Sequence, residues 1–593
     1  MSPKSRIYDH LNFLYGETRA QQILPHLEKS LSDFSERNPK LKEITHPQLS
    51  ERDAILITYG DQISDPEVPP LQTLAYFLNK EIQDDINGVH LLPFYPYSSD
   101  DGFSVIDYRQ VDPNLGTWED ISHLESSFRL MFDAVINHIS RQSEWFKGYL
   151  QGHKRFQDTF ITVEPDTDLS MVVRPRALPL LTPVETAQGT RYVWTTFSDD
   201  QIDLNFANPD VLMEIVDLLL FYVENGAEII RLDAIAYLWK MVGTSSIHLP
   251  QTHHVVKFFR AVLDATAPGV ILITETNVPH EENISYFGEP LVEGDSSVTR
   301  GDEAQMVYQF SLAPLVLHTF YTGDCRVLTE WADSLEIPFP AATFFNFIAS
   351  HDGIGVRPAE GLLSQDEIQA LADRVFEHGG QVSYKTNTDG TESAYELNIT
   401  LFDALNNPHE PNPAMDVRRF LSSQTIMLSL KGVPGIYVHS LFGSRNCHTC
   451  YEKTGRARSI NREKFQLTTL EAKLSDPDST TSLVFSGYKQ ILRARREHPA
   501  FHPHGSQQVI NLGEKLFVML RTPPNGDGYV LCLVNVTPEQ ITVDLSTIPP
   551  VQGHQQNWID LITGKIFETP EEQPLVSLDG YQYLWLTGEC MVP

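Results

Sequence analysis

Short apolar runs recur along most of the chain, and a stretch of helical periodicity follows each of them. Continuous apolar runs indicate strands that are buried on both faces, as in a parallel sheet covered by helices. Strands that alternate with helices in this way predict an α/β fold. The runs lie in ERDAILITYGD, GVHLLPFYPYS, FRLMFDAVINH, GAEIIRLDAIAYLW, GVILITETNV and AATFFNFIASHDG.

Polar residues end or closely follow these apolar runs. In a (β/α)₈ barrel, the active site lies at the carboxyl ends of the strands. Six polar residues in that position, which we assign to six strands, therefore predict a (β/α)₈ TIM barrel with its active site at the mouth. The six residues are Asp61, Asn137, His138, Asp233, Glu275 and Asp352.

Two long segments interrupt the alternation, and the pattern changes again after about residue 500. Loops this long on a barrel are expected to form walls around the mouth. The last segment has short strands, such as KLFVMLRTP and YQYLWLTG, with Gly and Pro turns, which predicts an all-β sandwich. We predict a helical extension (1–50), a barrel (51–140 and 206–495), an inserted domain B (141–205), an inserted loop domain (355–420) and a C-terminal β-sandwich domain (500–593).

The charge of the chain excludes some functions. The formal net charge of −34 repels nucleic acid and anionic membranes. The sequence contains no run of 18 apolar residues, so we expect no membrane helix. The amphipathic N-terminal segment lacks the apolar core of a signal peptide. Five cysteines do not make a disulfide framework. We expect a cytoplasmic protein, as a monomer or homodimer.

Cys447 and Cys450 form a C-x-x-C motif. This motif is typical of a zinc half-site or of a redox pair. A structural zinc ion needs about four ligands, and the chain has no second C-x-x-C. We therefore interpret the pair as two thiols in a loop.

Asp233 is a candidate nucleophile. It follows Arg231 by two residues, so both side chains share one face of a strand. A neighbouring cation favours the ionised carboxylate, which suits nucleophilic attack. A purely structural ion pair is the other interpretation, but buried pairs stabilise a fold only weakly.

Glu275 is a candidate general acid. It ends the apolar run ILITETN, and apolar surroundings raise the pKa of a glutamate towards neutrality. The 42 residues between Asp233 and Glu275 fit one strand–helix–strand unit. Two carboxyl groups about 5–5.5 Å apart on adjacent strands support a covalent intermediate and retention of configuration.

Four short motifs resemble the conserved regions of the α-amylase superfamily, which is glycoside hydrolase family 13. They are D-A-V-I-N-H (133–138), R-L-D-A (231–234), T-E-T-N (274–277) and S-H-D-G (350–353). Four further segments resemble the sucrose phosphorylase subfamily. These are HLLPFYPYSSDDGFSVIDY, GTSSIHLPQTH, DEAQMVYQFSL and TGRARSINREKF.

The resemblance implies a role for each matching residue and neither a metal nor an organic cofactor. Asp233 is implied as the nucleophile, Glu275 as the acid/base and Asp352 as the transition-state stabiliser. Asp61 matches an acidic residue at the O4/O6 side of glucose, and Arg458 matches an arginine of the same subsite. The residues implied to bind the glucosyl unit are Asp61, Phe103, Asn137, His138, Arg231, His351 and Arg458.

The subfamily resemblance implies a retaining phosphorylase that passes glucose from a small α-glucoside to inorganic phosphate. The segment from HDGIGVRPAEGLL to ITLFDAL looks most like the branch that acts on glucosylglycerate, with D-glycerate as leaving group. Phosphate and glycerate are both anions, so one basic acceptor site can serve both. The candidates for it are Arg357, Tyr384, Lys385, Asn387 and Arg445, although each basic residue could equally be a solvated surface charge.

Alternative functions remain open at this point. A sucrose, sucrose 6′-phosphate or glucosylglycerol phosphorylase differs only in the acceptor. A hydrolase or transglucosylase would use the same carboxylates. A catalytically inactive barrel is disfavoured because all three carboxylates are present.

Overall fold

A closed barrel of eight parallel strands forms the centre of the computed structural model, which describes residues 2–175, 178–292, 299–386, 391–548, 557–568 and 574–588. The barrel confirms the predicted fold class. Each strand pairs with its neighbours in sequence, and the eighth closes on the first. In chain order, strands β1 to β8 are Ile55–Thr58, Gly88–Leu91, Arg129–Ala134, Ala227–Leu232, Ile271–Thr274, Met306–Gln309, Thr343–Asn346 and Val433–Tyr437.

The barrel strands are buried on both faces, as their continuous apolar character predicts. Packing inside the barrel leaves no room for a side chain at Gly435 in β8. A Cβ atom there would lie 2.4 Å from the ring of Phe345 in β7. The glycine therefore lets the large aromatic ring fill the barrel interior.

Helices surround the barrel and connect its strands. The α-helices after the N-terminal extension are Pro70–Glu81, Trp118–Glu125, Glu144–Leu150, Pro209–Glu224, Pro250–Thr266, His280–Ile284, Leu312–Thr322, Arg326–Asp333, Gln365–Glu377, Leu401–Leu405, Pro413–Ser429, Val438–Leu441, His448–Thr454, Leu467–Ser475 and Thr480–Arg496. Short 3₁₀ turns lie at Pro39–Lys42, Asp100–Gly102, Lys154–Phe156, Ile235–Tyr237, Ser285–Phe287, Arg357–Ala359, Ala457–Asn461, Pro499–Phe501 and Leu545–Thr547.

Small antiparallel sheets stand in the two long insertions, beside the carboxyl ends of the barrel strands. In the first insertion, His138–Ser140 pairs with Gln201–Asp203, and Leu181–Thr186 pairs with Gly189–Trp194. In the second, Ile354–Gly355, Gln381–Thr386 and Glu392–Asn398 form one sheet. The remaining short strands outside the C-terminal region are Ile63–Ser64, Pro290–Val292, Thr299–Gly301 and Phe465–Gln466. The predicted limits of the domains remain a prediction.

The C-terminal region is an antiparallel all-β unit. Val543, Val576 and Leu578 of a two-stranded sheet share a buried cluster with Val518 of a six-stranded sheet. The alternate residue Phe517 belongs to the core cluster that includes the barrel, so the two faces of one strand bury against different partners. The strands are Ser506–Asn511, Leu516–Thr522, Val530–Asn535, Ile541–Asp544, Asn557–Asp560, Ile566–Glu568, Leu575–Leu578 and Tyr583–Gly588.

The N-terminal extension consists of two helices, Pro3–Tyr15 and Glu17–Arg37. Gly16 separates them with a φ of 79°, which a residue with a side chain rarely adopts. The first helix docks on the barrel helix Pro250–Thr266, where Arg6 forms a buried ion pair of 2.5 Å with Asp264. Within the residues described, no helix has the length and apolar character that crossing a bilayer requires.

Candidate active site

A cavity opens at the carboxyl ends of the barrel strands and collects most of the predicted polar residues. Asp233 directly follows β4, and Glu275 directly follows β5. The six polar residues follow five strands and not six, because Asn137 and His138 both come after β3. The cavity is lined by Asp100, Phe103, His138, Pro175, Phe197, Gln201, Asp233, Ala234, Ala236, Tyr237, Glu275, Thr276, Asn277, Val278, Phe310, His351, Asp352, Gly353, Tyr395, Glu396 and Arg458.

One buried guanidinium group holds the two central carboxylates. Arg231 Nη1 donates to Asp233 Oδ1 at 2.7 Å, and Arg231 Nη2 lies 3.9 Å from Glu275 Oε2. The same Nη1 also donates to Asp133, which the strand register places opposite Arg231. His90 Nε2 donates to Asp133 Oδ2 at 2.7 Å. Arg231 is therefore fixed from behind by a carboxylate that does not line the cavity.

Asp133 was not predicted as a site residue, although it begins the D-A-V-I-N-H motif. Burial alone opposes its ionisation, but Arg231 and His90 lower the pKa of Asp133 to about 2. A charged residue inside an otherwise apolar strand is the signal that could have identified it, because such a residue needs a partner. Asp133 and His90 thus form a support beneath Arg231.

The backbone after Asp233 is turned towards the neighbouring carboxylate. Ala234 has a φ of 48°, which is uncommon for a residue other than glycine. In this conformation, its N–H donates to Glu275 Oε2 at 2.9 Å. The geometry couples the position of Glu275 to the residue that follows Asp233.

Burial sets the protonation of the two carboxyl groups. It raises the pKa of Glu275 to about 7, against the opposing charge of Arg231. Burial also raises the pKa of Asp233 above its ordinary value, and Arg231 opposes that rise. The sequence pattern had suggested that the neighbouring cation sets the ionisation of Asp233. Burial has the larger effect on the pKa of Asp233, in the opposite direction. A protonated glutamate near neutrality is what general acid catalysis requires.

Asp352 carries a contrasting charge state. Burial opposes its ionisation, but the positive charges of Arg458 and Arg462 lower the pKa of Asp352 well below its usual range. Arg458 donates from Nη1 to Asp352 Oδ1, and from Nη2 to Glu396 Oε2 at 2.6 Å. The cavity thus holds a carboxylate that stays ionised beside a carboxyl group that can keep its proton.

Gly353 allows Glu396 to approach this network closely. A Cβ atom at position 353 would lie 2.5 Å from Glu396 Cγ. Glu396 is 4% exposed and lies in the strand Glu392–Asn398 of the second insertion. The sequence did not single out Glu396, because nothing local distinguishes it from a surface glutamate.

Two neutral histidines and an aromatic ring form another wall. Phe103 stacks on His351 with ring centres 4.9 Å apart and an angle of 1° between the planes. His138 Nε2 donates to the carbonyl oxygen of Phe103 at 2.9 Å. Burial lowers the pKa of His138 and lowers that of His351 to about 3. These imidazoles can therefore donate or accept hydrogen bonds without adding charge.

Asn137 lies behind this wall. Its Oδ1 accepts a hydrogen bond from Lys240 Nζ at 2.6 Å, and Lys240 also pairs with Asp203 at 2.6 Å. All three side chains are buried, and the pKa of Lys240 is lowered by burial against the charge of Asp203. Asn137 therefore supports the loop of His138 and does not line the cavity.

Asp61 lies outside the cavity. Its side chain is 42% exposed and accepts a hydrogen bond from Lys464 Nζ at 2.7 Å. The acidic residue that lines the cavity near Phe103 is Asp100, which sequence reasoning missed. Asp100 and Asp101 have φ values of 55° and 49°, a left-handed turn that aspartate tolerates better than most residues.

The predicted acceptor residues are dispersed. Tyr384 lines an outer cavity of about 470 Å³ that shares Asp100, Pro175, Tyr395, Glu396 and Arg458 with the catalytic cavity. Arg357 lies 3.7 Å from Glu282, and Lys385 lies 2.8 Å from Glu360. Asn387 lies outside the described residues.

Arg445, another predicted acceptor residue, lies apart from both of these cavities. It donates to Asp403 at 2.9 Å, stacks over the ring of Phe402 and lines a separate cavity. The interpretation of Cys447 and Cys450 as free thiols is wrong for this structure. Their Cα atoms are 5.2 Å apart and the two sulfur atoms form a disulfide, which a loop with two intervening residues permits.

Comparisons with known proteins bear on the whole chain. The family model described as alpha amylase, catalytic domain, matches residues 74–352. The chain is 51% identical over 540 residues to a glucosylglycerate phosphorylase of Allomeiothermus silvanus, covering 91% of this chain and 94% of that protein. It is 48% identical over 594 residues to a glucosylglycerate phosphorylase of Spirochaeta thermophila, covering 99% of both.

A solved structure shows the same fold over most of the chain. The crystal structure of sucrose 6F-phosphate phosphorylase from Thermoanaerobacter thermosaccharolyticum superposes with a TM-score of 0.70 at 25% sequence identity. The match covers 82% of this chain and 94% of that chain.

Proposed function

This chain belongs to the α-amylase family, and we propose that it is a retaining phosphorylase of 2-O-α-D-glucosyl-D-glycerate. The products are α-D-glucose 1-phosphate and D-glycerate. The observation that carries the proposal is Arg231, which lies 2.7 Å from Asp233 and 3.9 Å from Glu275. One cation thus faces both carboxyl groups, one in the position of a nucleophile and the other with a pKa of about 7.

The first half-reaction forms a covalent glucosyl-enzyme. An Asp233 carboxylate oxygen attacks C1 of the glucosyl unit, and the bond between C1 and the glycerate oxygen breaks. Glu275 donates its proton to that oxygen, so D-glycerate leaves as the alcohol. Asp352, held ionised by Arg458, is suited to bind the hydroxyl groups of the sugar as positive charge develops at its ring.

The second half-reaction releases the sugar onto phosphate. A phosphate oxygen attacks C1 from the side that glycerate vacated, and the ester bond to Asp233 breaks. Glu275, now a carboxylate, takes the proton from the attacking phosphate. Two inversions give net retention, and the glucosyl unit leaves as the α-phosphate ester.

The acceptor side has to bind two anions in turn. Arg357, Tyr384, Lys385 and Asn387 remain our proposed contacts at the second insertion. The positive charge of Arg357 acts on Tyr237, which lines the catalytic cavity, and this supports the proximity of Arg357 to the acceptor. Lys385 is paired with Glu360, which offsets the charge that Lys385 presents to an incoming anion.

The acceptor assay tests this function. α-D-Glucose 1-phosphate is offered separately with D-glycerate, fructose, fructose 6-phosphate and glycerol, and phosphate release is measured. Fast release with D-glycerate alone is expected. Fast release with fructose, with fructose 6-phosphate or with glycerol would instead identify a sucrose, a sucrose 6′-phosphate or a glucosylglycerol phosphorylase.

A second candidate is sucrose 6′-phosphate phosphorylase, because the superposed structure bears that activity in its name. Its acceptor also carries an anionic group, so the basic residues of the outer cavity fit it as well. A hydrolase or transglucosylase on the same site would release glucose, or transfer it between sugars, at the same rate without phosphate.

We further propose that the enzyme needs no metal or organic cofactor, and that it acts in the cytoplasm as a monomer or homodimer. Each catalytic step above uses carboxyl groups and arginines only, which supports the first point. Full activity after exhaustive dialysis against a chelator is expected. Loss of activity that a divalent cation restores would contradict it.

A further inference from the structure

Three arginines line the outer cavity, and they come from one short segment of the chain. They are Arg456, Arg458 and Arg462, at the start and end of the 3₁₀ turn Ala457–Asn461. The cavity is continuous with the catalytic cavity, because both are lined by Arg458, Asp100 and Glu396. An acceptor that leaves or approaches C1 through this opening therefore passes all three guanidinium groups.

Two of the three arginines are already occupied by carboxylates. Arg458 makes a two-pronged contact with Glu396, at 3.0 and 2.6 Å, and also donates to Asp352. Arg462 donates to Asp101 from Nη1 and to the carbonyl oxygen of His351 from Nε at 2.7 Å. Its side chain is only 6% exposed. Both arginines therefore have carboxylate partners that offset their charge, and the Nη2 atom of Arg462, which has no hydrogen-bond partner among the described residues, is buried 3.7 Å from Asp352.

Arg456 is different. Within the described part of the chain, its ion pair is a contact of 4.0 Å with Asp101, a carboxylate that Arg462 already engages. The Arg456 side chain is 55% exposed. Its planar group of donors matches the oxygens of a carboxylate or phosphate, and it is free to turn towards one.

The first insertion contributes two acidic residues to the lining of the outer cavity, and both have partners. Asp199 lies 3.6 Å from Arg141, and Asp200 accepts hydrogen bonds from Ser98 and Ser104 at 2.6 and 2.8 Å. An anion in this cavity is thus repelled from the first insertion and drawn to the side of Arg456. Tyr384 stands on the same cavity with a side-chain hydroxyl that can add a hydrogen bond.

We propose that Arg456 is a specificity-determining residue, which binds the carboxylate of glycerate and the incoming phosphate in the outer cavity. The inference rests on the proposed function, since it concerns the acceptor of the same reaction. The sequence had predicted acceptor recognition mainly in the second insertion. Arg456 lies outside that insertion. Arg456 contributes charge selection, and Asp233 and Glu275 carry out the bond changes.

The experiment separates acceptor binding from formation of the glucosyl-enzyme. α-D-Glucosyl fluoride forms that intermediate without an anionic acceptor, and water, glycerol, phosphate or D-glycerate then receives the sugar. Arg456→Gln, Arg456→Lys and wild type are compared for kcat/KM with each acceptor. Arg326→Gln is the matched control, because Arg326 is 59% exposed and pairs with Asp324 on another part of the surface.

Arg456→Gln is expected to lower kcat/KM for phosphate and for D-glycerate by about 10- to 100-fold, as loss of a charge-assisted hydrogen bond implies. Hydrolysis of the fluoride and transfer to glycerol should stay within about twofold, since neither uses an anion. Arg456→Lys should recover part of the loss, and Arg326→Gln should show none.

The outcomes distinguish the inference from the function on which it rests. Unchanged transfer to phosphate and D-glycerate in Arg456→Gln would overturn the inference alone. An equal loss with water and glycerol would also overturn it, because the residue would then act on the glucosyl-enzyme or the fold. If the wild-type enzyme transfers glucose to water but to neither phosphate nor D-glycerate, the proposed function is wrong and the inference fails with it.

Discussion

The catalytic cavity and the outer cavity adjoin each other but are built in different ways. Asp233, Arg231 and His138 follow or belong to barrel strands and are at most 7% exposed. Tyr384 belongs to the second insertion and is 40% exposed, whereas Arg456 lies in the segment after the last barrel strand and its side chain is 55% exposed. The first region is fixed by a hydrogen-bonded barrel, whereas the second depends on loops and ion pairs.

The difference teaches how the two parts of the reaction are supported. Bond breaking at C1 is sensitive to small displacements, and rigid strand ends hold the reacting groups in place. Recognition of the acceptor requires two different anions to enter and leave, which exposed side chains on loops allow. We therefore expect substitutions in the inner region to reduce turnover and those in the outer region to change acceptor selectivity.

The largest effect is expected from Asp233→Asn. Without the nucleophile, no glucosyl ester forms, and kcat should fall by about 10⁴-fold or more. Phosphorolysis is measured on glucosylglycerate, with the thermal unfolding midpoint as the control for the fold. Near-normal turnover in a folded variant would show that Asp233 is not the nucleophile. It would also contradict the contrast between the two cavities.

Glu275→Gln sharpens the comparison through pH. Burial raises the pKa of Glu275 to about 7, so its proton is retained up to neutrality and lost above it. The kcat/KM of wild type for glucosylglycerate should therefore fall as pH rises past about 7. Glu275→Gln should lower kcat on this substrate by about 10³-fold and abolish that alkaline limb.

The leaving group provides the control for Glu275. Fluoride departs without a proton, so formation of the glucosyl-enzyme from α-D-glucosyl fluoride should survive in Glu275→Gln. The burst of fluoride release reports that step. If the rate of the fluoride burst falls in Glu275→Gln by as much as kcat on glucosylglycerate, then Glu275 does not act as a general acid.

Arg458→Gln tests the border between the two cavities. Arg458 is the strongest of the charges that hold the pKa of Asp352 below its usual range. Its removal should raise the pKa of Asp352, and the acidic limb of the kcat/KM profile should move to higher pH. We expect a loss in kcat/KM of about 10²-fold. A loss with an unmoved acidic limb would mean that Arg458 does not act through Asp352.

The smallest effect is expected from Arg445→Gln. Arg445 pairs with Asp403 at 2.9 Å in a cavity apart from the active site, and its side chain is 42% exposed. The KM for phosphate should change by no more than about twofold. A tenfold increase in this KM would show that Arg445 does contact the acceptor, and would contradict its separation from the outer cavity.

Much of the inner site could be predicted from the sequence, since its residues follow apolar runs. Asp233 and Glu275 were identified because the end of a buried strand in an α/β barrel is a known position in space. Asp61 also follows a strand, yet its side chain turns to Lys464 outside the cavity. The position after a strand thus predicts the mouth of the barrel, but not the direction of each side chain.

The outer site could be predicted far less well. Glu396 lies 44 residues after Asp352 in the sequence, and Arg458 lies 62 residues after Glu396, but the three side chains form one network. No periodicity links residues that meet only when the second insertion and the segment after the last barrel strand fold over the same mouth. For the same reason, the sequence pointed to Arg445 as an acceptor residue and not to Arg456.

The sequence by itself determined the barrel, the order of its strands and the carboxylates at their ends, because periodic burial and strand-end position are local properties of the chain. Only the tertiary structure decided that Asp133 holds Arg231, that Asp100 and not Asp61 lines the cavity, and which arginines are already neutralised. Those facts depend on distances between segments remote in sequence. Charge interactions change steeply with such distances and with burial, so no local pattern can encode them.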